Sequence, residues 1–300
     1  MRLALVCPYA WDDPGGVQTH ARELGLRLLD RGHDVIALAP VRGRAAEPWV
    51  RPIGHPVPLR YNRSSAPIDP RPWSYPRVRD ALVAFRPDVV HVHEPLTPST
   101  SMWATLAGVA PVVATFHSGA ARSRLFDLAA PILRRIADRI AVRVAVSRAA
   151  ARFVGSRIGG SYWIVPNGVD VSRFAAAEPT DLGPGRKVLF VGRLDGRKGF
   201  RVAVEAFDRL AAERPDVRLI VAGDGPERAA VDALPAGARA RVRLLGAVPN
   251  AELHPIEAAC RRVPRPGDRG ELRRGAHRGD SRGSAGGRQR HPGIRRGRDR

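Results

Sequence analysis

With 300 residues, 44% hydrophobic and 26% charged, the chain can build about two ordinary packed domains. The formal charge of +21 suggests an anionic partner, but residues 261–300 alone hold 14 Arg against 4 acids, leaving only +11 for residues 1–260. Two cysteines, Cys7 and Cys260, exclude a disulfide framework and a cysteine metal cage. Apolar runs stop short of the roughly 18 residues of a membrane span, so no anchor is predicted. Nor is a signal peptide, because Met1 leads directly into a strand. These features together predict a cytoplasmic protein.

In chain order, Arg2–Cys7 reads as a buried strand. A turn with Tyr9, Gly15 and Gly16 follows and opens a helix over Val17–Arg31, whose Leu24, Leu28 and Leu29 recur at helical spacing. Paired glycines at a helix start let backbone amides approach an anion closely, although many ordinary loops also hold Gly-Gly. Asp34–Ala39 is the second strand, and the Pro- and Arg-rich residues 41–76 read as irregular surface. Ser74–Phe85 is a helix with Arg77 and Arg79 on its exposed side.

Alternation continues with strands at Asp88–Val92, Pro111–Thr115, Ile140–Val146 and Ser161–Val165. Helices at Pro98–Gly108, Leu125–Asp138 and Ser147–Ile158 separate them, Ser147 serving as an N-cap. This order predicts a doubly wound parallel sheet. The small, acidic, Pro- and Gly-containing residues 176–185 form a linker between a domain at 1–175 and a second at 186–259. The second repeats the pattern, with strands at 188–191, 217–222 and 242–245. Helices run from Gly199, through Ala233, and over Asn250–Ala259.

Two places carry candidate chemistry. In KVLFVGRLDGRKG at 187–199, a strand ends at Gly192 and a basic turn leads into a helix. Open α/β sheets bind ligands at such turns, and Arg193 and Lys198 could pair as cations on a phosphate. A solvated basic turn is the competing reading. Lys187 and Lys198 are the only lysines in the chain. His91, His93 and His117 stand at strand ends, too dispersed to assign zinc. Strand-end histidines are mostly hydrogen-bonded structural residues; His117 is the better functional candidate because it shares an edge with Gly15 and Gly16.

The motifs CPYAWDDPGGVQTH at 7–20, YN at 61–62, HVHEP at 91–95, ATFH at 114–117, PNGVD at 166–170 and GRLDGRKG at 192–199 carry a resemblance. Together they resemble family 4 retaining glycosyltransferases of the GT-B fold, which have two Rossmann-like domains with a cleft between them. HEPLTPSTSM at 93–102 and ATFHS narrow the likeness to bacterial GDP-mannose-dependent phosphatidylinositol mannosyltransferases. The resemblance covers residues 1 to about 259.

It implies that Arg193 and Lys198 hold the nucleotide pyrophosphate, that the Gly15-Gly16 amides face the same phosphate, and that His117 sits beside the donor sugar. Val248 would lie near the base, while Tyr9 would stack on an inositol ring or simply pack in its loop. Arg71, Arg77 and Arg79 would supply part of a basic acceptor and membrane surface. The implied reaction takes mannose from GDP-mannose to a phosphoinositide or other lipid acceptor. It needs no obligatory metal or cofactor, and the enzyme is peripheral on the inner membrane face. Front-face attack, with the leaving phosphate taking the acceptor proton, would account for the missing carboxylate pair.

The likeness breaks near Cys260. A strand and a Gly-Glu-Ser-Phe-Gly turn should follow, then a helix carrying a second Glu. Residues 260–300 instead form an Arg/Gly-rich tail without periodicity, predicted to be disordered, which leaves the second domain incomplete. Reading GC-rich codons for residues 260–294 from their second base turns Gly270 through Arg273 into Glu-Ser-Phe-Gly. Gly275 through Arg278 become Val-Leu-Ile-Glu. Third positions were chosen freely, so this is compatibility; it favours a one-base frameshift over an evolved tail. Three readings stay open: the glycosyltransferase, an inactive truncated product of such a gene, and nonspecific nucleic-acid binding through the tail. Without interleaved aromatics, the tail offers no specific nucleic-acid recognition.

Overall fold

The structure, a computed structural model, describes residues 1–13, 15–43, 47–61, 64–117, 124–196 and 198–260. The Arg/Gly-rich tail therefore lies outside the described residues, which all fall in one compact unit, Met1–Arg261. The elements in order are β1 (Arg2–Val6), α1 (Gly16–Asp30), β2 (Asp34–Ala39), β3 (Val50–Pro52), β4 (Val57–Tyr61), β5 (Ser64–Ile68), α2 (Ser74–Phe85), β6 (Val89–His93), α3 (Thr100–Ala107) and β7 (Val112–Phe116). They continue with α4 (Arg124–Ala137), β8 (Ile140–Ala145), α5 (Arg148–Ile158), β9 (Trp163–Ile164), α6 (Val171–Ala175), β10 (Arg186–Val191), α7 (Phe200–Glu213), β11 (Val217–Ala222), α8 (Ala236–Arg239), β12 (Val242–Gly246) and α9 (Asn250–Cys260).

Seven strands form one sheet in the order β3-β2-β1-β6-β7-β8-β9, with every pairing parallel. The inner strands β1, β2 and β7 are covered on both faces, which is why they read as near-continuous apolar runs. Because side chains alternate across a strand, Leu5, Val35 and Ala37 pack with Ala21 and Leu24 of α1. Ala4, Val6, Ile36 and Leu38 pack with Val78 and Leu82 of α2 and Met102 of α3. Ser147 caps α5 as its sequence suggests, accepting from Ala150 N at 3.1 Å.

The order β10-β11-β12 forms a second, parallel sheet. Leu219 and Val221 pack with Phe200, Val204 and Phe207 of α7, while Ile220 faces Leu182 and Ile256. Leu182 belongs to the expected linker, and it is only 4% exposed. Phe174 of α6 lies 4.2 Å from the ring of His254 on α9, and Thr180 N donates to Pro255 O at 3.1 Å. Residues 176–185 are thus pinned along α9 rather than swinging free.

Two expectations need correction. Residues 41–76 are not wholly irregular: β3 extends the large sheet and β4–β5 form an antiparallel hairpin. Pro52, Pro58 and Pro67 hid these strands, and edge strands and two-stranded ribbons are where proline is tolerated. The stretch to Ala233 is a 3-10 helix over Arg228–Ala233, and the short α8 follows it.

Candidate active site

The strand order of the large sheet reverses between β1 and β6, since β1 leads to β2 on one side and the chain returns on the other. Ligands of open α/β sheets bind off the carboxyl ends of the strands at such a point. Here α1 begins. Gly15 is its N-cap in extended backbone, and a Cβ there would lie 2.3 Å from Gln18 Oε1. Buried Gln18 is held in turn by its Nε2, which donates to Ala10 O at 3.1 Å. A Cβ on exposed Gly16, the first helical residue, would meet nothing within 4 Å. The first amides of α1 have no intrahelical acceptor and no acidic residue stands in the first turn, so this end offers donors and positive potential to an anion.

Histidines gather beside it. His93 ends β6, fully buried, and its Nδ1 lies 3.0 Å from His117 Nε2 just past β7. His20, one turn into α1, sets its ring 5.4 Å from His93 and 5.3 Å from His117, edge to face. His91 stacks on His93 at 4.8 Å and bonds Thr115 Oγ1 through Nε2 at 2.8 Å. Glu94, in left-handed backbone at φ 50°, accepts from His117 N–H at 2.8 Å and so fixes the turn that presents this ring. Burial, reinforced by the neighbouring rings, pushes His91 down to about 4 and His117 to about 3. The same causes hold His93 well below its ordinary value, and burial lowers His20. At neutral pH His117 is therefore an uncharged ring that can make one directed hydrogen bond to a ligand, not a cationic acid.

A second group lies at the carboxyl ends of β10, β11 and β12. Gly192 and Gly223 take φ values of 142° and 156°, and a Cβ on Gly223 would sit 1.9 Å from Gly192 O. Only glycines let the strand ends come this close. Leu194 N donates to Asp224 O at 3.1 Å and Glu227 N to Leu194 O at 2.9 Å, anchoring the basic turn on the next loop. Asp195 Oδ1 accepts from Lys198 N–H at 3.1 Å, folding the turn back. The Lys198 stem then crosses Gly192, with Cγ and Cδ 3.7 Å from where a Cβ would stand. Arg193 is exposed and only loosely paired with Asp195 at 3.9 Å. Arg193 and Lys198 thus both belong to the turn between Gly192 and α7, and both are exposed.

The remaining sequence candidates are held by packing. Tyr9 is half-buried and bridges Ile68 of β5. Val248 packs with Leu189 and Leu245 behind the small sheet. Arg71 is engaged twice: Nε and Nη2 donate to Asp69 at 2.5 and 3.0 Å, and Nη2 also reaches His55 O at 3.0 Å. The candidates therefore fall into two groups, Gly15, Gly16 and His117 in one and Arg193 and Lys198 in the other. Sequence reasoning missed His20 and the bond from Glu94. The signal for His20 was its spacing, one helical turn after Gly16.

A helix start without an acidic residue, a buried histidine cluster at the switch point and a glycine turn on a second parallel α/β sheet are arranged as in the GT-B fold. Residues 14–173 match Glycosyltransferase Family 4 and residues 185–263 match Glycosyl transferases group 1, and the chain belongs to family 4. It is 40% identical over 231 residues to a phosphatidyl-myo-inositol mannosyltransferase of Mycolicibacterium smegmatis, covering 76% of this chain and 60% of that protein. It is 36% identical to the enzyme of that name from Mycobacterium leprae, covering 84% of this chain and 68% of the relative. The chain thus spans about 60% of the length of the first of these relatives. The fold is shared with an Anabaena HepE structure in complex with UDP, at TM-score 0.61 and 17% identity, covering 87% of this chain and 72% of that one. It is shared too with a glycosyltransferase of Rickettsia africae at TM-score 0.58 and 17% identity, covering 85% and 70%. Among the described residues no helix is long and apolar enough to cross a membrane.

Proposed function

We propose that this lineage moves mannose, with retention, from GDP-mannose to phosphatidylinositol at a membrane surface. The observation that carries the reading is the open N-terminus of α1 at Gly16 beside the neutral His117, in a chain of this family. Arg193 and Lys198 hold the pyrophosphate and neutralise charge as it leaves; such donors act most strongly where charge develops. Gly16 N–H faces the same phosphate from α1. His117 bonds the sugar and orients it, and no metal is required for the transfer. The leaving phosphate takes the proton of the attacking hydroxyl.

On the acceptor side, Tyr9 offers a ring to inositol. Exposed Arg77 and Arg79 stand on α2 with Trp73 and Val83, which are 64% and 46% exposed, a mixture suited to lipid headgroups. The glutamate-bearing turn expected after Cys260 is missing from the sequence, so the chain as it stands is inactive and a frame-restored one is active. The test is transfer to phosphatidylinositol vesicles by the frame-restored protein from a panel of GDP- and UDP-sugars. Retained mannose transfer from GDP-mannose is expected. A preference for another donor, or bound nucleotide without transfer, overturns the reading.

A further inference from the structure

We propose that His20, His93 and His117 form a binding site for a divalent cation of the zinc class. One nitrogen of each lies within 4.8 Å of the others. Three elements bring them together: α1, the end of β6 and the turn after β7. Tetrahedral zinc at about 2.0–2.1 Å from each nitrogen needs those nitrogens roughly 3.3 Å apart. The contact between His93 Nδ1 and His117 Nε2, at 3.0 Å, is already near that spacing. Closing from 4.8 Å to that spacing takes a shift of about 1.5 Å, which the half-buried His20 side chain can make by a change of rotamer.

The ligand nitrogens are then His93 Nδ1 and His117 Nε2, which already face each other, with His20 completing the set. Three imidazoles with an open fourth position suit zinc, cobalt or nickel and disfavour magnesium, which prefers oxygen. In the transfer reading above, a metal here withdraws His117 from the sugar and inhibits; that consequence rests on the reading, whereas the site does not.

The test is calorimetric titration of the full chain, stripped of metal, with Zn²⁺, Co²⁺ and Mg²⁺, with Co²⁺ also followed by its visible absorption. One equivalent of Zn²⁺ should bind, Co²⁺ should show a nitrogen-rich spectrum, and Mg²⁺ should give no heat. His20→Gln should weaken zinc by more than about tenfold, since losing even an outer-shell partner costs 10–100-fold. His117→Gln should do the same, and both positions are only half-buried, so the variants fold. No zinc binding, or binding unchanged in both variants, overturns the site. Zinc binding as stated, without inhibition of a frame-restored enzyme, leaves the site standing and removes His117 from the sugar.

Discussion

Arg71→Ala tests the structure at a place where burial and charge meet. The Asp69 side chain is 0% exposed and takes Arg71 Nε at 2.5 Å, Arg71 Nη2 at 3.0 Å and Ser74 Oγ at 2.7 Å. Gly54 is part of the same fit: at φ 75°, its absent Cβ would lie 1.7 Å from Asp69 Oδ2. Removing one partner of a buried ion pair costs about 3–5 kcal/mol. Arg71 is 31% exposed and Ser74 remains, so water and the hydroxyl recover part of that, leaving an expected loss of about 2–4 kcal/mol. Asp69→Asn, which keeps the shape and the Ser74 contact, should cost less, about 1–2 kcal/mol. The pH dependence has a definite sign. Burial pushes the Asp69 carboxyl up, but hydrogen bonds from Arg71 and Ser74 outweigh it and hold it below its ordinary value. The pair therefore stabilises fully above pH ~4 and loses its contribution as pH falls through the depressed value. Without Arg71, burial alone raises the carboxyl, so the variant takes up a proton in mild acid and its deficit shrinks. Urea unfolding at neutral pH and near pH 4 measures both. A deficit under about 1 kcal/mol at neutral pH, or one that does not change with pH, refutes the reasoning.

Since His91, His93 and His117 resist protonation in the fold, the unfolded chain binds more protons below pH ~6.5, and stability should fall steadily as pH drops from there toward about 4. Urea midpoints flat across that window would contradict it. Gly223→Ala should cost about 2–4 kcal/mol, from left-handed backbone and a Cβ forced onto Gly192 O, while Gly16→Ala, facing open space, should change stability by less than about 1 kcal/mol yet weaken nucleotide binding. Thermal melts and nucleotide titrations separate the two; equal destabilisation would contradict the strand-end geometry. Sequencing the DNA around codon 260 should restore a frame encoding a Gly-Glu-Ser-Phe-Gly-like turn, and a confirmed frame with early stops in the shifted one would refute it.

The parts legible in the sequence are those where one local rule suffices. Apolar runs such as Val217–Ala222 read as buried strands, and their alternation with helices predicts a parallel sheet. The position of His117 just past β7 was legible because the strand before it was. The hairpin of β4 and β5 was not, since its prolines and arginines mask a pattern that only pairing reveals. Neither was the Arg71–Asp69–Ser74 clamp, which turns an apparent surface cation into support for a buried carboxylate. His20 and His93 meet only after β1, β6 and β7 are laid side by side, so no spacing along the chain could show that His93 would be fully buried among rings.

The central claim is that the turn flanking Gly192 grips the pyrophosphate of a nucleotide sugar. Lys198→Ala in a frame-restored protein tests it directly, with turnover and nucleotide affinity measured separately. Losing one donor at the developing charge should cost roughly 2–4 kcal/mol of transition-state stabilisation, about thirtyfold to a thousandfold in rate. Arg193→Ala should behave alike, and the double variant should lose less than the sum, because both cations act on one phosphate. Turnover and affinity both unchanged by Lys198→Ala would contradict the account.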